Sequence, residues 1–169
     1  MNTHPKIQAL ISDVSRTLIF PNEKAYNGTL NALYGQLDPD RREPDFLQYY
    51  SFNNNLIEAI GKISKLIPCY LFTSGYLHEV PVVKQKMGVF FKKAFIAQDI
   101  GFKKSDKNAY SKLSTFLKVP PENILFLDDA KSNCQAAQEA GFQTILITEW
   151  EDPIETNNYL SVLNMYFHL

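Results

Sequence analysis

The chain has 169 residues, 45% hydrophobic and 21% charged, with 17 Lys plus Arg against 18 Asp plus Glu and a formal net charge of −1. That length suits one domain that buries roughly two thirds of its unfolded surface, and the apolar content excludes disorder as a general state. The balanced charge gives nucleic-acid coating no electrostatic support, no apolar stretch of about 18 residues exists to span a membrane, and residues 1–6 lack the apolar core of a signal peptide.

In chain order, residues 7–12 read Ile-Gln-Ala-Leu-Ile-Ser and end in Asp13. A short apolar run of this kind suits a strand buried on both faces. Residues 21–55 break the pattern. Helical pieces are expected around 30–37 and 45–51, on either side of the turn-rich run Asp38-Pro39-Asp40-Arg41-Arg42-Glu43-Pro44. The segment reads as a small helical cap over one edge of a sheet, and equally as an ordinary long crossover. Leu56, Ile60, Ile63 and Ile67 then make one apolar helix face, stopped by Pro68.

Residues 69–72 form the next strand and lead into Thr73-Ser74-Gly75. A further strand over 94–97 precedes Gln98-Asp99. Tyr110, Leu113 and Leu117 mark a helix closed by Pro120-Pro121, and the strand 124–127 runs into Asp128-Asp129. Cys134, Ala137 and Ala140 stripe another helix, for which Gly141 is a natural cap. A strand over 144–147 and a surface helix over 154–167 complete the chain. The alternation predicts an α/β fold: a Rossmann-like doubly wound parallel sheet, one domain over 1–169 with a small helical cap insert at 21–55.

Cys69 and Cys134 have no CxxC partner or metal-ligand spacing, so they read as reduced core thiols of a cytoplasmic protein. His4, His78 and His168 are scattered and read as surface histidines, with no histidine metal site. Tyr49-Tyr50 and Phe90-Phe91 read as packing aromatics, although the Tyr49 pair lies where it could instead face a substrate.

Ligands of a parallel sheet bind outside the carboxyl ends of its strands. Those ends carry Asp13 and Ser15, Thr73 and Ser74, and Asp128 with Asp129, while Lys103 and Lys104 follow the 94–97 strand. Carboxylates converging from two strands repel each other, and a hard divalent cation such as Mg²⁺ offsets that repulsion. A metal beside a lysine and a small hydroxyl would cradle a phosphoryl group. A carboxylate can also attack phosphorus to give an aspartyl-phosphate.

In this order and spacing the motifs resemble those of the haloacid dehalogenase superfamily. Asp13-Val14-Ser15-Arg16-Thr17 is similar to its D-x-D-x-T motif, and Thr73-Ser74-Gly75 to its strand-end hydroxyl. Lys104-Ser105-Asp106 through Tyr110 resembles its lysine motif, and Asp128-Asp129 through Asn133 its acidic motif. The resemblance implies that Asp13 is nucleophile and metal ligand, with Ser15 offering its main-chain carbonyl to the metal. It further implies that Thr73 donates to a phosphoryl oxygen with Ser74 and Gly75 beside it. Lys104 would balance charge, and Asp129, assisted by Asp128, would hold Mg²⁺.

Two positions depart from the pattern. Phosphatases of the family usually carry a second aspartate where this chain has Ser15. General acid–base catalysis is worth about 10²–10⁴-fold, and a serine supplies little of it near neutral pH. The family's ion-pumping ATPases carry threonine there and its phosphonate-cleaving members alanine. Arg16 stands where Gly or Asn is frequent; it reads as a turn-stabilising arginine or as a phosphate ligand.

The expected partner is a phosphorylated substrate. A minimal cap suits a larger or macromolecular ester, and a homodimer whose chains cover each other's sites would suit a small metabolite. The rival expectation is a degenerate member that binds a ligand or partner. A dehalogenase is disfavoured by the Asp128-Asp129 pair, because that chemistry needs no metal.

Overall fold

The computed structural model describes residues 6–37, 45–148 and 153–169. The turn-rich run at 38–44 and His4 lie outside the described residues. Five parallel strands form the main sheet: β1 (Ala9–Ser12), β4 (Cys69–Thr73), β5 (Phe91–Ile96), β6 (Ile124–Asp128) and β7 (Gln143–Leu146). Their order is β5-β4-β1-β6-β7. The two strands beside the switch, β1 and β6, are buried along their whole length, as their unbroken apolar runs predict.

The chain leaves β1 toward β4 and β5, crossing one face through α3 (Asn54–Ile63) and α4 (Pro81–Met87). It returns across the other face through α5 (Ala97–Ile100) and α6 (Lys107–Leu117) to β6, then through α7 (Lys131–Glu139) to β7. The connections therefore diverge between β1 and β6, and the crevice outside those two strand ends is the switch point of a doubly wound sheet. Ser12 pairs with Leu127, which sets Asp13 level with Asp128 across that crevice. The Asp13 N–H donates to the Leu127 carbonyl at 2.8 Å.

Two cores flank the sheet. One gathers Leu10, Leu56, Ile60, Leu71 and Leu125 with Tyr159 and Leu163 of α8 (Pro153–Phe167). The other gathers Ile11, Phe72, Tyr110, Leu113, Phe126 and Ala137. Asn53 ties three parts of the first side together. Its Oδ1 accepts from Leu56 N (3.2 Å) and from Tyr159 Oη (3.1 Å), and its Nδ2 donates to the Thr17 carbonyl (3.2 Å).

The segment after β1 departs from the purely helical insert expected. It holds α1 (Leu30–Leu37) and α2 (Phe46–Tyr49), but also β2 (Ile19–Pro21) paired antiparallel with β3 (Tyr50–Phe52). The helix expected over 45–51 stops at Tyr49, because Tyr50 is extended (φ −134°, ψ 150°) and hydrogen-bonded into the ribbon. Tyr50 is a packing residue, as read: its ring stacks on Phe46 at 4.4 Å and its hydroxyl donates to the Leu30 carbonyl at 3.0 Å.

Three smaller corrections have local causes. α3 ends at Ile63, and the turn that follows, not Pro68, closes it, so Ile67 reaches the core from outside the helix. α6 is closed by Lys118 in the left-handed region (φ +56°), not by the prolines. His78 is no surface histidine: its side chain is 9% exposed, and burial pulls its pKa below the usual value. Gly141 does cap α7, at φ +95°.

Candidate active site

Asp13 follows the last residue of β1 and Asp128 ends β6; both are buried. Asp129 follows and is half-buried. One carboxylate oxygen from each of the three lies within 4.8 Å of the others. Lys104 enters this cluster from the loop between α5 and α6. Its ammonium pairs with Asp13 Oδ1 and, at 2.6 Å, with Asp128 Oδ2. The same nitrogen sits 5.5 Å and 5.6 Å from the ring centroids of Phe72 and Phe126. Its neighbour Lys103 is exposed.

Two carboxylates pair with one ammonium and a third lies beside them, so negative charge is in excess. Burial pushes the Asp13 carboxyl up to about 7; Lys104 opposes this, while Asp128 and Asp129 reinforce it. Burial likewise raises Asp129 to about 6, with Asp128 adding to the rise and Lys104 and Arg16 opposing it. Burial alone would lower the Lys104 pKa, but Asp13 and Asp128 outweigh it and the net shift is upward. Lys104 is therefore a fixed positive charge across the neutral range.

Supporting hydrogen bonds aim these groups. Asn133 Nδ2 donates to both Asp128 oxygens, at 3.0 and 3.2 Å, and the Ala130 N–H donates to Asp128 Oδ1 at 2.8 Å. Thr17 Oγ1 donates to Asp13 Oδ2 at 3.4 Å. The Tyr110 hydroxyl donates to the Lys104 carbonyl at 2.6 Å. Sequence reasoning gave Thr17, Tyr110 and Asn133 no role. Their fixed offsets from Asp13, Lys104 and Asp128 are the signal that could have found them.

Thr73 ends β4, the strand beside β1, and is buried. Its hydroxyl oxygen accepts from the Gly75 N–H at 3.3 Å, which leaves its own hydrogen to be donated. Ser74 is exposed and Gly75 buried. Ser15 is half-buried and bridges to Ile19. Arg16 adopts φ +60°, and its Nη2 donates to the carbonyls of Tyr26 (2.6 Å) and Gly28 (3.1 Å), the turn-stabilising arrangement. Cys69 and Cys134 are free and buried, and burial raises both thiols to about 12.

Carboxylates from two strands thus meet at the switch point of a doubly wound sheet, with a buried lysine between them. The sequence profile of the haloacid dehalogenase-like hydrolases matches residues 21–141. The chain belongs to that family.

Curated relatives include enolase-phosphatase E1 of Caenorhabditis elegans, 34% identical over a 94-residue alignment that covers 50% of this chain and 35% of that protein. Enolase-phosphatase E1 of Persephonella marina is 33% identical over 105 residues, 56% of this chain and 43% of that protein. The chain thus spans less than half the length of these relatives.

Among solved structures, a haloacid dehalogenase family enzyme of Bacteroides thetaiotaomicron in complex with magnesium and inorganic phosphate superposes with a TM-score of 0.62. It is 16% identical, over 87% of this chain and 97% of that one. A β-phosphoglucomutase assigned in Thermotoga maritima gives 0.62 at 18% identity, over 85% and 86%. Both likenesses are of fold. Among the described residues no helix is long and apolar enough to cross a membrane.

Proposed function

We propose that this chain is a Mg²⁺-dependent phosphohydrolase or phosphotransferase that works through an aspartyl-phosphate on Asp13. The observation that carries the reading is the convergence of Asp13, Asp128 and Asp129 within 4.8 Å around one buried ammonium. The curated relatives are named as phosphatases, which supports a phosphate ester as substrate.

The residues present fit a magnesium ion. The donors are all hard oxygens; burial first, and the neighbouring carboxylates second, disfavour the charged forms of Asp13 and Asp129, and a dication offsets both. Asp13, Asp129 and Asp128 would hold it, with the Ser15 main-chain carbonyl. When bound, the ion supplies Lewis-acid stabilisation of charge on the phosphoryl oxygens.

The rest is done by the chain. Thr17 and Lys104 orient the Asp13 carboxylate. An Asp13 oxygen forms a bond to phosphorus as the bond from phosphorus to the leaving oxygen breaks, and the leaving oxygen takes its proton from solvent. Lys104 and the Thr73 hydroxyl stabilise the phosphoryl oxygens. Water then attacks phosphorus, releasing phosphate and restoring Asp13. With Ser15 in place of an aspartate, neither proton transfer has a strong acid or base, and turnover is expected to be slow.

That same serine favours a second reading, a member that binds a phosphorylated ligand or partner without turnover. Purified protein assayed with p-nitrophenyl phosphate and a panel of phosphometabolites, with and without Mg²⁺, separates the two. Mg²⁺-dependent turnover abolished in Asp13→Asn supports the enzyme. Ligand binding with no turnover on any substrate supports the binding protein.

A further inference from the structure

The start of the insert is tied to both loops that flank the nucleophile. From the Asp13 side, Arg16 reaches over to the Tyr26 and Gly28 carbonyls. From the Thr73 side, the Tyr76 N–H donates to Asn31 Oδ1 at 3.0 Å. Gly75 packs so closely on the Asn31 amide that a Cβ at position 75 would collide with it. Gly75 does not have a positive φ, so this glycine answers a close approach rather than a turn.

Between these ties lies a short, self-braced segment. The Tyr26 hydroxyl donates to the Thr29 carbonyl, Thr29 Oγ1 caps α1 by accepting from Ala32 N, and Leu30 is buried beneath the Tyr50 hydroxyl. Arg16 holds a left-handed conformation that disfavours any side chain. A glycine would take that turn without strain, so the turn alone gives no reason for arginine; its guanidinium contacts do.

We propose that Arg16 and Asn31 are positioning residues that clamp residues 26–37 to the nucleophile loop and the Thr73 loop at once. That side of the site is then a fixed wall, not a hinged lid. Its consequence for substrates rests on the function proposed above: phosphate esters enter past a wall that does not close on them, and Arg16 orients the loop without ligating phosphate.

Hydrogen exchange of the full chain tests the clamp without reference to turnover. Arg16→Gly keeps the turn and removes the strut; Asn31→Ala removes the second tie; Arg16→Lys can still reach one carbonyl. Exchange over 30–37 should rise about 10-fold in Arg16→Gly and in Asn31→Ala, and less in Arg16→Lys, with β1 and β6 unchanged. In the wild type it should be the same with and without Mg²⁺ plus inorganic phosphate. Phosphate affinity, measured by NMR titration, should change by less than about 3-fold in Arg16→Gly.

Unchanged exchange over 30–37 in both variants would overturn the clamp. So would protection of 26–37 by phosphate in the wild type, which would reveal a closing lid. A loss of phosphate affinity above about 10-fold in Arg16→Gly with exchange unaltered would make Arg16 a phosphate ligand instead. Because exchange decides the clamp whether or not phosphate binds, a wild type that binds no phosphate would count against the functional reading alone.

Discussion

Replacing Lys104 with methionine isolates the charge at the centre of the site. Methionine is similar in length and apolar, but it removes the ammonium that pairs with Asp13 and Asp128 and lies over the Phe72 and Phe126 rings. The three side chains are 6%, 7% and 0% exposed, so water replaces little of what is lost. Breaking a buried pair from one side typically costs about 3–5 kcal/mol, because the remaining charge stays buried. That is the loss expected near pH 7 without Mg²⁺, read by urea denaturation.

The sign of the pH dependence follows from the same groups. Lys104 holds the Asp13 pKa down, so removing it drives that pKa further above its unfolded value. A carboxylate whose folded pKa is raised binds more protons folded than unfolded, so stability falls as pH rises between the two values. The variant should lose stability with pH more steeply than the wild type, by up to about 1.4 kcal/mol per pH unit for each extra proton held. Its deficit should therefore shrink toward pH 4–5. A loss below about 1 kcal/mol at pH 7, with an unaltered pH slope, would refute the electrostatic account of the site.

Further outcomes follow from the same geometry. Metal-free wild type should itself lose stability from about pH 4 to pH 7, because Asp13 and Asp129 are raised to about 7 and about 6. Saturating Mg²⁺ should flatten that slope, checked by thermal melts across pH. Ser15→Asp should raise p-nitrophenyl phosphate turnover by about 10²-fold or more if only the acid–base group is missing. No change in the steady-state rate would place the defect elsewhere. Tyr110→Phe should cost about 1 kcal/mol in the same urea assay through the lost bond to the Lys104 carbonyl.

Much of the frame was legible because the three central strands, β4, β1 and β6, are short apolar runs ending in a polar residue. Fully buried strands leave that signature, and reading their ends located Asp13, Thr73 and Asp128 at one sheet edge. The β2–β3 ribbon was not legible. Its strands are three residues each, and Tyr50 and Phe52 follow directly on a helical turn, so no alternation is long enough to register.

Three side chains show what pattern alone leaves open. Arg16 could have met phosphate or carbonyl oxygens with the same guanidinium, and only the path of residues 26–28 decides between them. Gly75 looks like a phosphate-loop glycine, yet the structural demand on it comes from Asn31, 44 positions earlier in the chain. His78 lies in the short turn after the Thr73 loop with its side chain largely covered, which no local spacing announces.

The most direct measurement is rapid quench of the wild type with Mg²⁺ and a phosphate ester that it turns over, followed by peptide mass spectrometry under acid conditions. A phosphoryl group should appear on the peptide containing Asp13, stoichiometric with active sites, and be absent in Asp13→Asn. Turnover that proceeds at wild-type rate in Asp13→Asn, or that leaves Asp13 unmodified throughout a single turnover, would contradict the account.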